Sequence, residues 1–368
     1  MKNEIMGNTV EHIKKTERNS SFELLRIIAM IFIILSHSSV HGNFPEEDST
    51  VWFNNIFLDW FVLGNVGVDI FVILSGYFLC EKKKQTLLPL IAQVWFYSVI
   101  CLTVYGISGN KISKKELAGA IFPTLFEEYW FFTAYVILCL FLPFINLFLQ
   151  HVSRKMLKKC IIIMVCIWCI VPLVIDKRVY KVELLQFLLL YLIGAYLRKY
   201  PLNVFASSKI RNTLTLVSFG MLFSSSVMLR LVFNAHELHF YDQHSIIVLG
   251  CALGLVAIAK YHDVFVNKKI NGIAGCTFGI YLLHDNPFIR CLLWNQWLPN
   301  YRFYNSKYLF LIMLASVILV FTVGTILELF RKKLIAKPLL KFFNCGYSIV
   351  SQCRGRLCNF LKNILKTE

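Results

Sequence analysis

An arginine and a histidine, Arg26 and His37, stand eleven residues apart in the apolar stretch ELLRIIAMIFIILSHSSVHG. In an α-helix eleven residues turn through about 1100°, roughly 20° from three full turns, and rise about 16 Å. The two side chains therefore share one helix face, with a permanent cation at one end and an imidazole toward the other. A charge held at the bilayer centre costs at least ~2.5–3.5 kcal/mol, so groups kept there need a task or a partner. Each residue also has a bland reading: Arg26 can snorkel to the headgroups, and His37 can make a single interhelical hydrogen bond. A second stretch, GNVGVDIFVILSGYFL, carries Asp69 at a depth comparable with His37. A carboxylate there would fix the imidazole tautomer and raise its basicity, as a general base requires; alternatively Asp69 caps a broken helix. A third stretch, YLLHDNP, brings His284 and Asp285 to similar depth, with Glu127 and Glu128 ahead of one apolar segment and Arg230 ending another. His41 follows His37 by four residues, a spacing that metal pairs use, but no carboxylate completes an HExxH-like set and no metal is expected.

What must position these groups follows from composition. Of 368 residues, 57% are hydrophobic and 16% charged, with mean hydropathy +0.62; soluble domains average about 45–50% apolar and ~25% charged. A soluble enzyme is thereby all but excluded, and the length reads as many bilayer crossings of ~20 apolar residues. Ten apolar segments are visible: Phe22–His41, Ile56–Cys80, Leu87–Ile107, Tyr129–Leu149, Cys160–Ile175, Glu183–Leu197, Thr213–Phe233, Ser245–Ala259, Ile273–Arg290 and Tyr308–Phe330. The fifth, sixth and eighth are short for a ~30 Å hydrocarbon core. The expected fold is an all-α polytopic bundle of about ten transmembrane helices, spanning 22–330, between an N-terminal tail (1–21) and a basic C-terminal tail (331–368).

The formal charge of +17 would suggest nucleic acid in a soluble chain. Here its placement decides. Of 38 Lys and Arg, 27 fall in the two tails and the even-numbered loops and 8 in the odd-numbered loops, while Arg26, Arg230 and Arg290 lie within segments. The positive-inside bias puts both termini in the cytoplasm, and no nucleic-acid partner is expected. The first segment has no small-residue cleavage site and reads as a retained signal anchor. Most of the 12 cysteines lie in or beside apolar runs as small fillers, the CIWC string included, so a redox role is not expected.

The motifs resemble those of the acyltransferase family 3 membrane proteins. FELLRIIAMIFIILSHSSVHG resembles the family's first helix, with a basic residue, ten intervening positions and a histidine. GVDIFVILSGYFL resembles its GVDxFFxLSGF pattern, and YWFFTAYVILCLFLPFIN its aromatic helix ending in Pro-Phe-Ile-Asn. Wording of the SxGIYLLH type recurs at Thr277–His284, with Thr277 in the place of the usual Ser. The four motifs run in the family's order. One departure is clear: where the family often carries arginines after the second helix, this chain has EKKKQTLLPL, so Lys82, Lys83 and Lys84 bring charge without the bidentate geometry of Arg.

The resemblance implies transfer of an acyl group, usually acetyl, from cytoplasmic acyl-CoA to a hydroxyl of an extracytoplasmic glycan. Acetyl-CoA would be a co-substrate, with no permanently bound cofactor. The expected partners are membrane lipid, acyl-CoA and a surface polysaccharide or its lipid-linked precursor, at the plasma membrane of a bacterium. Arg26 and Lys82–Lys84 would hold the donor's phosphates. His37 would act as general base or as acyl-carrying nucleophile, with Asp69 and His284 as the other catalytic groups. Glu127, Glu128, Trp130 and Arg230 would meet substrate, Arg230 as an oxyanion donor. The competing class is a proton-coupled secondary transporter, since buried His, Asp and Arg also describe such carriers.

Overall fold

The computed structural model describes residues 18–45, 51–82, 86–175, 182–233, 238–345 and 348. Among them every regular element is helical. The first is α1 (Ser20–Val40), started by Asn19, whose side chain accepts from the Ser21 N–H. Next come α2 (Trp52–Trp60) and α3 (Gly64–Leu79), separated by a break at 61–63. They are followed by α4 (Leu88–Ile107), the short α5 (Lys114–Ile121), α6 (Trp130–His151) and α7 (Arg154–Val165), which a π turn and a 3₁₀ turn prolong to Leu173. The second half consists of α8 (Glu183–Lys199), α9 (Ser208–Phe233), α10 (Ile246–Tyr261), α11 (Lys268–Ala274), α12 (Thr277–His284), α13 (Pro287–Cys291) and α14 (Leu309–Leu334).

Seven of these stretches are long and apolar enough to cross a membrane, α2 and α3 counting as one and α7 with its extension as another. The other three expected spans come out differently. Helix α8, of 17 residues, and α10, of 16, are short, yet most of their side chains are buried against other helices. The segment Ile273–Arg290 is divided into pieces at 275–276 and again at Asp285–Asn286. Pro287 lacks the N–H a continuous helix needs there, and Asn286 caps the new start by accepting from Phe288 N–H. The second expected span, Ile56–Cys80, is likewise two helices.

Helix α3 lies at the centre, against α1, α8 and α10. Small residues bring its backbone close to its neighbours. A Cβ on Gly76 would sit 2.1 Å from the carbonyl oxygen of Tyr191, and one on Gly194 would sit 2.0 Å from that of Ile73. Bilayer helices associate by such close packing because lipid offers no hydrophobic drive between them. Gly67 faces the Ala29 carbonyl of α1, where a Cβ would come within 2.5 Å.

Two buried ion pairs stand out. Arg230 grips Asp59 through Nε (2.5 Å) and Nη2 (2.8 Å), tying α9 to α2. Glu328 of α14 accepts from Arg331 at 2.7 and 2.8 Å and from Tyr97 Oη of α4 at 2.7 Å. The described cysteines are free thiols.

Candidate active site

His37 lies on the last turn of α1, and the broken segment supplies what it faces. Helix α12 ends on His284, and Asp285 is its C-cap. His37 Nδ1 lies 3.0 Å from His284 Nε2 and 3.5 Å from Asp285 Oδ1. His284 Nδ1 meets the Ile280 carbonyl oxygen at 2.7 Å, and Arg290 Nη2 donates to Asp285 Oδ1 at 2.8 Å.

The network assigns the protons. A carbonyl only accepts, so His284 Nδ1 carries hydrogen, and Nε2 of the neutral ring is then an acceptor. His37 Nδ1 must donate to it. The Asp285 oxygen beside the same nitrogen agrees, since a lone pair there would face a carboxylate. His37 Nε2 is left with its lone pair, the state a general base or a nucleophile needs.

His37 and Asp285 line a cavity of about 240 Å³ together with Trp130, Tyr135, Phe278 and Tyr281. A second cavity, of about 520 Å³, carries Arg18, Glu23, Arg26 and Lys82 in its wall. The two share Phe71, Ser75, Leu90, Tyr135 and Phe278, so they are consecutive chambers along one face of α1. Arg26 and His37, expected on one face of α1, line these two adjoining chambers. Arg26 is ion-paired with Glu23, and its guanidinium lies over the Phe78 ring at 5.2 Å. Asn146, from the PFIN string, donates to the carbonyls of Leu79 and Lys82 and fixes where the Lys82 loop leaves α3.

Other expected site residues lie elsewhere. Asp69 is fully buried with Gln243 as its polar neighbour, and among the described residues no hydrogen bond or ion pair joins it to His37. The carboxylate beside His37 is Asp285 in its place. Arg230, expected at the oxyanion, is engaged by Asp59. Glu127 is exposed with φ of +56°, and Glu128 packs against Gly119 of α5. Neither lines a cavity with His37. Burial, and then the nearby Glu116, pushes the Glu128 carboxyl above its usual range, Lys115 opposing. Lys83 and Lys84 lie outside the described residues.

Two participants escaped the sequence reading. Arg290 was grouped only by its position within a segment, although it stands five residues beyond Asp285, within reach across the Asn-Pro break. His41, which the sequence reading weighs only as half of a metal pair, has its ring centroid 5.3 Å from that of His37. Nitrogen and oxygen atoms of His37, His41 and Asp285 all lie within 4.8 Å of one another, as a metal site would need. The Arg290 guanidinium already donates to that carboxylate, and its charge opposes a second cation.

A helical membrane protein with an imidazole in a chamber that adjoins a second, basic one is the class that fold and site define. The chain belongs to acyltransferase family 3: a family model described as an acyltransferase domain matches residues 19–329. Neither a curated protein nor a solved structure gives a match.

Proposed function

We propose that this protein moves an acyl group, acetyl by preference, from acyl-CoA to a hydroxyl of a surface glycan or its lipid-linked precursor. Acyl-CoA would enter from the basic chamber, with Lys82, Arg26 and Arg18 near its phosphates, and the thin pantetheine arm would pass the neck at Ser75 and Tyr135. His37 Nε2 would take the proton of the acceptor hydroxyl as its oxygen attacks the thioester carbonyl; the C–S bond breaks and that proton passes to the sulfur, so CoA leaves as its thiol. Alternatively Nε2 would attack the carbonyl itself and hold the acyl group as the C–S bond breaks, until the acceptor hydroxyl attacks in turn, the N–acyl bond breaks and the hydroxyl proton makes up the one taken by the thiolate. Asp285 and His284 would hold the ring through Nδ1. The charge distribution along the sequence supports a cytoplasmic basic end, and the plasma membrane of a bacterium is the location the family resemblance implies.

The observation that carries this reading is the chain of two chambers joining Arg26 to His37. Proteoliposomes given acetyl-CoA and surface glycan should release CoA thiol with the protein and not with His37→Ala at equal membrane level. Equal release by the variant overturns the reading, and counterflow of a sugar without thiol release would favour a carrier.

A further inference from the structure

At the end of α1 opposite Arg26, a third cavity of about 320 Å³ is lined by His41, Asn43, Arg290, Cys291 and Asn295, among others. It shares no lining residue with the His37 chamber. A single layer of side chains divides the two. His37 and Asp285 form its inner surface, His41 and Arg290 its outer one.

The polar atoms of this cavity's walls are incompletely used. The hydrogen bonds of Arg290 both leave from Nη2, to the carbonyl and to the carboxylate of Asp285. Its Nε is buried with no partner among the described residues. Asn295 Oδ1 is likewise buried and unpartnered, while its Nδ2 has only the weak acceptor Cys291 Sγ at 3.6 Å. Such groups lose hydration without return until something binds them. A guanidinium lines the cavity and no carboxylate does. Guanidinium matches the planar oxygens of carboxylate and phosphate, and in a site of low dielectric its attraction for an anion is strong.

We propose that this cavity is the acceptor subsite and that it selects a negatively charged glycan unit, with the carboxylate or phosphate held by the Arg290 nitrogens that Asp285 leaves unused. The hydroxyls of that unit would meet Asn295 and His41, which brings one of them to the layer that contains His37. The role as acceptor rests on the acyltransferase reading; the binding of an anion does not.

The test is equilibrium binding to the full chain in nanodiscs of neutral lipid. Three soluble probes of equal length are compared: an oligoglucuronate, an oligo(glycerol phosphate) and a neutral oligoglucose. At least one anion should bind tenfold or more tighter than the neutral probe, and more weakly as salt is raised. The stronger anion tells carboxylate from phosphate. Asn295→Asp, which places a like charge in the wall, should weaken anion binding by about tenfold relative to the neutral probe. Asn43→Asp, on the same wall, should act in the same direction and serves if Asn295→Asp does not reach the membrane. Three probes that bind alike, no binding of either anion, or variants that bind the anions as the parent does, each overturn the subsite. His37→Ala should keep the binding. A protein that binds the anion but releases no CoA thiol from acetyl-CoA would defeat the acyltransferase reading and leave the subsite standing.

Discussion

His284 reaches His37 with one ring nitrogen and the Ile280 carbonyl with the other, at 3.0 and 2.7 Å. One backbone oxygen, four residues back on the same helix, thus sets the tautomer of an imidazole on a different helix. Loss of His37 as base or nucleophile should lower acyl transfer by about 10²–10⁴-fold. His284→Ala, which leaves the His37 ring free to turn, should cost on the order of 10²-fold through misplacement. Labelled acetyl transfer in proteoliposomes measures both. A His284→Ala protein with full activity would show that the second ring only packs.

Asp285 and Asp69 are separated by the same measurement. Asp285→Asn removes the carboxylate shared by His37 and Arg290 and should cost about 10²-fold. Asp69→Asn replaces a buried carboxyl beside Gln243 that no hydrogen bond or ion pair joins to His37 among the described residues, and its kcat should stay much nearer to the parent's. The opposite order would restore Asp69 as the orienting group.

The neck between the chambers offers a steric test. Ser75 lines both of them and donates to the Phe71 carbonyl at 2.8 Å. Ser75→Phe should close the neck and abolish acyl transfer while the protein still reaches the membrane. Arg26→Ala should act at the wider end, raising KM for acetyl-CoA about tenfold with a smaller change in kcat. Normal turnover by Ser75→Phe would mean that donor and His37 meet by another route.

Much of the frame could be read from residue types. The apolar runs gave the helices because bilayer burial demands long unbroken stretches, and the 26/37 spacing gave the shared face because helical geometry is local. Depth along a helix could be estimated in the same way, and it placed His37, Asp69, His284 and Asp285 at one level. Which helices adjoin could not be read, since that depends on contacts such as Gly76 with Tyr191 and Gly194 with Ile73. Asp69 and Asp285 were equivalent by depth, and only packing distinguishes the carboxylate that meets His37. Arg230 looked like a free cation for the same reason: its partner Asp59 lies 171 residues away.

Those two residues also give a stability prediction. Arg230→Ala leaves Asp59 without its guanidinium, a loss of about 3–5 kcal/mol for a broken buried pair. The thermal midpoint in detergent should fall, and Asp59→Ala added to Arg230→Ala should recover part of it. A single variant as stable as the parent would show that the pair contributes nothing net.

The tight contact of α3 with α8 makes a further stability prediction. Gly194→Val would force side-chain carbon into the Ile73 carbonyl and should destabilise by about 1–3 kcal/mol. Gly220, where nothing lies within 4 Å of an added Cβ, provides the control: Gly220→Ala should leave the thermal midpoint unchanged or slightly raised.

The layer formed by His37, His41, Asp285 and Arg290 has one more consequence. The chambers on its two sides share no lining residue, so they meet only across this layer. On the proposed acyl transfer, a group handed on atom to atom through such a partition would change compartments while the membrane stayed electrically tight.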